Sequence, residues 1–227
     1  MSITLLVQNG KFRRKKIKVP PASLKGRHNF TSGVVKEAIF QLATNLIETN
    51  NKQYSFFDLC SGSGQVGIEA LSAGFGKVHL VELDRNRISN LIQVIDNFPG
   101  NREIHNRDFR RCSNLVLSSS RSVIFLDPPY SFWDKNGDSQ HVYQFLQQIT
   151  ERIDAGISSD QELKTVGSEI NPVWINHDIQ NRQLVVLIQA PNKKNSGLFQ
   201  KFSTLPHLLR PDIHTYGNTV LLSGILK

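Results

Sequence analysis

The sequence predicts an α/β fold with a mainly parallel sheet and helices on both of its faces. From residue 54 onward, short apolar segments of strand length alternate with segments whose apolar residues recur at helical spacing. Such alternation is typical of βαβ units, which build parallel sheets. Strands are expected at residues 55–59, 78–83, 103–105, 123–126 and 184–188, and the clearest helices between them at 65–73 and 85–98.

Residues 1–20 predict a basic β-hairpin that precedes this sheet. Two apolar stretches, 3–7 and 12–19, flank Asn9-Gly10, a dipeptide that favours two-residue hairpin turns because both residues tolerate positive φ. In the second stretch, apolar residues that would face inward alternate with lysines that would face solvent: Ile17 and Val19 against Lys16 and Lys18.

Residues 21–227 are expected to form one α/β domain around the sheet. Its first helix has an apolar stripe that runs from Val34 to Ile47 at helical spacing, and Thr31 or Ser32 can cap it.

The second half of the chain contains an irregular part and a regular end. Residues 131–183 predict a variable insertion, polar throughout, with one helix around 141–153 followed by a long loop. Residues 213–216 and 219–226, joined at Gly217-Asn218, predict an antiparallel C-terminal hairpin.

The composition excludes several classes of protein. The chain has 227 residues, 39% of them hydrophobic, and no apolar run approaches the length of a membrane-spanning helix. It opens without the basic and apolar regions of a secretory signal, so we expect a cytoplasmic protein without a membrane partner. Cys60 and Cys112 lack the spacing of a metal site or a disulfide framework, and we expect no bound metal.

Positive charge is concentrated at the N-terminal end. The net charge is +8, yet residues 1–36 contain nine Lys or Arg and no acidic residue, which leaves a net charge of −1 for the rest. This asymmetry favours an arm that binds nucleic-acid phosphates, with a solvated basic tail as the alternative. The candidate nucleic-acid-binding residues are Lys11, Arg13, Arg14, Lys15, Lys16, Lys18 and Arg27.

A glycine-rich segment joins the first predicted strand of the sheet to a helix. Gly62, Gly64 and Gly67 would permit a tight turn and a close approach of the backbone to a ligand. The spacing alone is compatible with two adenosine-containing ligands, NAD and S-adenosylmethionine. Asp58 favours the second, because a carboxylate there would repel a pyrophosphate but could receive the ammonium group of the methyl donor.

Residues after the next two strands complete the predicted cofactor site. Glu82 could accept both ribose hydroxyls, while Asp108 could accept from the adenine amino group or cap the following helical segment. Leu83 and Phe109 could enclose the adenine ring or belong to the core. The predicted cofactor-binding residues are Asp58, Cys60, Ser61, Gly62, Ser63, Gly64, Glu82, Leu83, Asp108 and Phe109.

A buried-strand pattern runs directly into Asp127-Pro128-Pro129-Tyr130. The two prolines remove backbone donors and fix φ, so that the Pro128 carbonyl is held in one direction. Together with the Asp127 carboxylate it could accept both N–H bonds of an exocyclic base amino group and aim the nitrogen lone pair at a methyl group. Tyr130 would stack on the base. The alternative is a strand-ending turn with a surface tyrosine.

These segments resemble the bacterial guanine-N2 methyltransferases of small-subunit ribosomal RNA. The resemblance covers about residues 7–130 and 210–226. It rests on an opening hairpin, a first helix, a cofactor loop, a catalytic segment and a closing hairpin, which here are residues 10–12 with 17–20, 31–40, 58–64 with 67–71, 126–130 and 216–219.

The resemblance implies a Rossmann-like class I methyltransferase fold with a seven-stranded sheet. It also implies S-adenosylmethionine as the donor, a guanine amino group as the acceptor, and ribosomal RNA or an assembling small ribosomal subunit as the partner. The catalytic residues would be Asp127, Pro128, Pro129 and Tyr130. The chain departs from the family's pattern at Asn29-Phe30, where Arg-Pro is usual, and at Gln189-Ala190, where the strand usually ends in an acidic residue.

Two other functions stay open at this point. An adenine-N6 DNA methyltransferase would share the chemistry of residues 127–130, and a non-catalytic RNA-binding protein could share the fold. A nicotinamide-dependent dehydrogenase is rejected, because Asp58 and residues 127–130 would have no role in it.

Overall fold

The computed structural model describes residues 3–19, 30–133, 139–155, 182–192 and 197–227, and only the backbone of residues 130, 131, 139 and 198. Arg27 and the part of the predicted insertion that follows residue 155 lie outside the described residues, apart from residues 182 and 183.

The described strands are β1 (Ile3–Leu6), β2 (Lys16–Val19), β3 (Ser55–Asp58), β4 (Lys77–Glu82), β5 (Arg102–Asn106), β6 (Arg121–Leu126), β7 (Gln183–Pro191), β8 (Leu208–Tyr216) and β9 (Thr219–Leu226). The described helices are α1 (Gly33–Leu46), α2 (Gln65–Ser72), α3 (Arg85–Ile95), α4 (Ser113–Leu117), α5 (Ser139–Asp154) and α6 (Leu198–Ser203).

Seven of these strands form one sheet in the order β5-β4-β3-β6-β7-β9-β8. Strands β3 to β7 are parallel, whereas β9 runs antiparallel to both β7 and β8. The predicted Rossmann-like fold with an antiparallel C-terminal hairpin is therefore confirmed. Because parallel strands end at the same edge of a sheet, the loops that follow β3, β4, β5 and β6 converge there.

The sheet is covered on both faces, and β6 shows why its strands are continuous apolar runs. Val123 and Phe125 pack into a core cluster that α1, α2 and α3 complete. Ile124 and Leu126 point into a second cluster, formed with α4, α5 and α6. Strands buried on both faces do not alternate between apolar and polar residues.

The N-terminal hairpin exists, and its second strand has the predicted faces. Strands β1 and β2 pair antiparallel, with Leu6 opposite Lys16. Ile17 and Val19 are buried in the first core cluster, while Lys16 and Lys18 are exposed.

The predicted two-residue turn at Asn9-Gly10 is wrong. Residues 7–15 connect the two strands and include a 3-10 turn, Gly10–Phe12. Phe12 is buried there, its ring 5.5 Å from that of Phe98, and its N–H donates to the hydroxyl of Ser72 at 2.8 Å. Burial of this ring against Phe98, with the hydrogen bond to Ser72 at the end of α2, outweighs the local preference of Asn-Gly for a tight turn.

Several boundaries differ from the prediction. Ser32, and not Thr31, caps α1, since its hydroxyl accepts from the Val35 N–H at 3.3 Å. Helix α3 ends at Ile95 rather than at residue 98. Strand β8 extends back through Pro211, where an irregular register accommodates a residue without an N–H. Helix α5 confirms the helix predicted around 141–153, and the short α4 and α6 were not predicted.

Within the described ranges, the structure contains no helix of the length and apolar character that a bilayer crossing requires.

Candidate active site

A cavity of about 500 Å³ opens at the carboxyl edge of the parallel strands. Its walls come from the residues just before α1, from the loops after β3, β4, β5 and β6, and from the first residues of α2 and α3. The lining residues are Phe30, Thr31, Asp58, Leu59, Cys60, Ser61, Gly62, Ser63, Gln65, Val66, Glu82, Leu83, Asp84, Arg87, Arg107, Asp108, Phe109, Arg110, Phe125, Asp127, Pro128, Pro129 and Phe132.

The two predicted motifs lie side by side at this edge. Strands β3 and β6 are hydrogen-bonded neighbours, with Asp58 opposite Phe125. Beyond the strands, the Leu59 N–H donates to the Phe125 carbonyl at 3.0 Å. The glycine-rich turn and the segment that begins at Asp127 are therefore adjacent walls of one cavity.

The glycine-rich turn uses two residues with positive φ. Gly62 has φ of 53° and lines the cavity, while Gly64 has φ of 76° and begins α2. Gly64 does not line the cavity. A Cβ there would lie 2.3 Å from Leu91 Cδ1, so Gly64 allows α2 and α3 to pack closely.

Asp58 is a buried carboxylate at the floor of the cavity, with only 1% of its surface exposed. Its Oδ2 accepts from the Gly67 N–H at 3.0 Å. The pKa of Asp58 is raised to about 7. Burial is the main cause and the negative charge of Glu82 contributes, while the Gly67 hydrogen bond opposes the rise.

Glu82, at the end of β4, is held by two backbone donors. Its Oε2 accepts from the Gly62 N–H and its Oε1 from the Asp84 N–H, each at 2.9 Å. Each carboxylate oxygen keeps a second lone pair. This fixed carboxylate can therefore accept two further hydrogen bonds, as a ribose diol would require.

Cys60 and Ser61 belong to the turn that follows Asp58. The Ser61 hydroxyl donates to the Asp58 carbonyl at 2.8 Å, and the Ser61 N–H donates to the Val81 carbonyl at 2.9 Å. Burial raises the pKa of the Cys60 thiol, and the nearby Asp127 adds to the rise. Cys60 is therefore a neutral thiol and no nucleophile.

At Asp108 the structure shows the capping geometry that was one of the two predicted alternatives. The carboxylate accepts from the Arg110 N–H at 3.0 Å and pairs with the Arg110 guanidinium, which lowers the pKa of Asp108. Asp108 nevertheless lines the cavity, together with Leu83 and Phe109, the two apolar residues predicted to enclose the adenine ring. Leu83 is 63% exposed at the rim, whereas Phe109 is buried, its ring 5.9 Å from that of Phe132.

The segment after β6 presents a carboxylate and a rigid backbone. Asp127 lies partly exposed at the cavity wall, and the hydroxyl of Thr31 donates to its Oδ2 at 3.4 Å. Burial raises the pKa of Asp127 to about 7, and the charge of Asp58 contributes. The Pro129 carbonyl accepts from the Phe132 N–H at 2.8 Å, which turns the chain into a 3-10 turn at 130–133. The Tyr130 side chain lies outside the described atoms.

Three kinds of lining residue were missed by sequence reasoning. Thr31 reaches Asp127 from the start of α1, and Arg87 and Arg107 bring positive charge to a largely acidic wall. Gln65 is 6% exposed, and its side-chain Oε1 has no hydrogen-bond partner among the described residues. A buried acceptor of this kind is costly unless a ligand satisfies it. A glutamine directly after Gly-x-Gly was the available signal for it.

The basic residues of the hairpin loop are exposed but not equally free. Lys11, Arg13, Arg14, Lys15, Lys16 and Lys18 are all exposed. Lys15 Nζ lies 4.9 Å from the centre of the Phe98 ring and 5.6 Å from that of Phe12, and it donates to the Asn97 carbonyl. Lys15 therefore anchors the loop to the protein, and the outward lysines of β2 are better placed for a partner.

The loop is also tied to α1, the helix that begins two residues after Thr31. Glu69 on α2 accepts from the Gln8 N–H at 2.8 Å and pairs with Lys36 on α1 at 2.9 Å. The Gln8 side chain in turn lies against Gly33, two residues after Thr31. The basic hairpin and the wall of the cavity are thus parts of one packed unit.

Comparison with known families decides where the chain belongs. The model of the family described as conserved hypothetical protein 95 matches residues 5–155, about two thirds of the chain. The chain belongs to this family. It is the family that the motifs resemble, so the expected family is confirmed. A comparison with curated protein sequences gives no match.

Solved structures share the fold along nearly the whole chain. The Escherichia coli protein yhhF, assigned as a methyltransferase, is 16% identical with a TM-score of 0.59, and the match covers 99% of both chains. An assigned methylase of Haemophilus influenzae is 19% identical with a TM-score of 0.55, covering 99% of this chain and 100% of its own. An assigned RNA methyltransferase of Pyrococcus horikoshii is 17% identical with a TM-score of 0.55, covering 93% and 91%. At these identities the likeness shows the fold.

Proposed function

We propose that this protein transfers a methyl group from S-adenosylmethionine to the exocyclic N2 amino group of a guanine in small-subunit ribosomal RNA. One observation carries the proposal. The Asp127 carboxylate, beside the rigid Pro128, shares a cavity with the acidic residues Asp58 and Glu82. Asp127 and the Pro128 carbonyl can accept hydrogen bonds from an amine, and Asp58 and Glu82 can bind a cationic nucleoside.

The residues at the glycine-rich turn fit the donor. S-adenosylmethionine supplies an electrophilic methyl group on a positively charged sulfur and also carries an ammonium group and a ribose diol. Glu82 offers two free lone pairs to the diol. The unpartnered Oε1 of Gln65 and the buried carboxyl of Asp58 offer acceptors to the ammonium group. A cation bound here would also relieve the repulsion between Asp58 and Glu82.

The residues after β6 would hold the amine. The nitrogen of an exocyclic amino group is a poor nucleophile, because its lone pair is delocalised into the ring. Asp127 and the Pro128 carbonyl can accept its two N–H bonds, which favours tetrahedral nitrogen and directs the lone pair across the cavity. The ionised Asp127 can then take the proton that the methylated amine releases, while the Thr31 hydroxyl holds one of its oxygens.

The RNA substrate is supported by charge and by the adjoining hairpin. The exposed Lys16 and Lys18 project from β2, on a unit packed against α1 and α2. Neutralising phosphates there would bind a nucleic acid without reading its sequence. Ribosomal RNA or an assembling small subunit, in the cytoplasm, is the proposed partner.

The experiment measures methyl transfer from labelled donor to three substrates in parallel. Undermethylated small-subunit RNA, assembling small subunits and duplex DNA are incubated with the full chain. We expect label in one of the RNA-containing substrates and none in DNA. Label in DNA alone would favour the adenine-N6 reaction, and RNA binding without label would favour a non-catalytic protein.

The controls are two aspartate variants with opposite expectations. Asp127→Asn should lose transfer, because an amide cannot take the proton that the methylated amine releases. Asp96→Asn should keep it, since Asp96 is exposed, pairs with Arg102 at 3.0 Å and does not line the cavity. Equal activity of the two variants would contradict the assignment of Asp127.

A further inference from the structure

A second group of ligand-type side chains lies on the sheet, on strands β4 and β5. His79 stands opposite Glu103 in the parallel register, and His105 follows on β5 with its side chain on the same face. Their ligand atoms, His79 Nδ1, Glu103 Oε2 and His105 Nε2, all lie within 4.8 Å of one another. None of these residues lines the cavity described above.

The three atoms form a triangle of the size that a metal ion requires. The separations are 3.0 Å between the two nitrogens, 3.5 Å from His79 to Glu103 and 3.7 Å from His105 to Glu103. Zinc ligands sit about 2.0–2.2 Å from the ion at tetrahedral angles, which places them about 3.3–3.6 Å apart. Small rotations of side chains therefore suffice to complete the geometry.

Neighbouring residues hold the buried His79 in place, and the side of the cluster formed by Glu103 is open to solvent. The His79 ring stacks on Phe57, with ring centres 4.4 Å apart and planes within 4° of parallel. The side chains become progressively more exposed from His79 through His105 to Glu103, at 5%, 21% and 48%. An ion can thus enter from solvent and keep water as a fourth ligand.

We propose that His79, Glu103 and His105 bind one divalent transition-metal ion, with Zn²⁺ as the expected occupant. Two imidazoles and one carboxylate form a donor set that zinc accepts and that hard ions such as Mg²⁺ do not favour. Without metal, the two imidazoles share a hydrogen bond. When the ion binds, the ring that donates this bond carries its proton on its other nitrogen instead, so that both nitrogens of the pair offer lone pairs to the ion. The ion would tie the edge strand β5 to β4, independently of methyl transfer.

Lys77 modulates the site. Its ammonium group lies 2.6 Å from Glu103 Oε1, the carboxylate oxygen that is not part of the triangle. This positive charge orients the carboxylate but also repels a cation. Removal of the charge in Lys77→Gln should therefore tighten binding of the ion severalfold.

The test is a calorimetric titration of the untagged full chain with Zn²⁺, with Mg²⁺ as the comparison ion. We expect one Zn²⁺ per chain, no saturable Mg²⁺, and a visible absorption band of tetrahedral type when Co²⁺ is used instead. At a hundredfold excess over the dissociation constant, Zn²⁺ should raise the Tm by about 5–10 °C.

Variants locate the binding on these residues. Glu103→Gln and His105→Asn are preferred to changes at His79, which is packed under Phe57, and each should weaken Zn²⁺ binding at least about tenfold. His214→Asn, on β8, is the matched control and should change nothing. Circular dichroism and the Tm without metal verify the fold of each variant. A wild-type chain that binds no Zn²⁺, or two variants that bind it as tightly as wild type, would overturn the proposal.

Discussion

Replacement of Asp58 by asparagine tests the electrostatic account of the cavity floor. Asp58 is 1% exposed, and burial with the charge of Glu82 raises its pKa from 3.8 to about 7. Asparagine has the same shape and can keep the hydrogen bond from the Gly67 N–H through its amide oxygen. The substitution therefore removes the charge and leaves the packing in place.

The sign and size of the effect follow from proton binding. Between pH 4 and 7 the folded chain holds the Asp58 proton more tightly than the unfolded chain, so a rise in pH favours unfolding. For a pKa that moves from 3.8 to about 7, linkage gives a loss of about 3 kcal/mol between pH 5 and pH 8. Asp58→Asn should lack that loss and be more stable than wild type at pH 8.

Urea unfolding of both chains at pH 5 and pH 8, without donor, measures this difference. Loss of the Asp58 charge also lowers the pKa of the neighbouring Asp127, so the variant should lose still less stability as the pH rises. The variant should also bind S-adenosylmethionine more weakly, as titration calorimetry would show. A variant that is less stable than wild type by the same amount at both pH values would refute the reasoning.

Four further predictions concern the rest of the site and its support. Asp127→Ala should abolish turnover in single-turnover assays while calorimetry finds donor binding within a few fold of wild type; retained turnover would contradict its role. Because the ionised Asp127 is required and burial raises its pKa to about 7, kcat/KM should fall as the pH drops below 7, and a flat pH profile would exclude that requirement. Glu69→Gln leaves the buried Lys36 unpaired and should cost about 3–5 kcal/mol in urea unfolding, against a negligible loss if the pair does not matter. Replacement of Lys16 and Lys18 by glutamine should reduce the salt dependence of RNA binding by about two in logarithmic slope, and an unchanged slope would remove β2 from the interface.

Much of the fold was predictable because the central strands are buried on both faces. A continuous apolar run such as residues 123–126, ended by Asp127-Pro128-Pro129, is typical of a buried strand in a parallel sheet. The neighbouring positions of β3 and β6 then placed the glycine-rich turn and Asp127 in one cavity. Local sequence was sufficient for this, since the carboxyl ends of parallel strands share an edge.

Features that depend on contacts between distant residues were not predictable. The Asn9-Gly10 turn was wrong because Phe12 finds its place against Ser72 and Phe98, far along the chain.

The same limit applies to individual side chains of the site and of the sheet. The hydrogen bond between Thr31 and Asp127 joins residues 96 positions apart, which no spacing rule relates. The two histidines of the proposed metal site lie on different strands, 26 positions apart, so that no compact ligand motif shows in the sequence.

Mass spectrometry of RNA nucleosides tests the central claim most directly. Purified protein is incubated with undermethylated small-subunit RNA, or with assembling subunits, and with donor that carries a deuterated methyl group. The account predicts deuterated N2-methylguanosine, which disappears with Asp127→Ala. Deuterium found only on a ribose oxygen or a ring carbon would contradict the claim that Asp127 and Pro128 bind an amino group. Deuterated product that is undiminished with Asp127→Ala would contradict it as well.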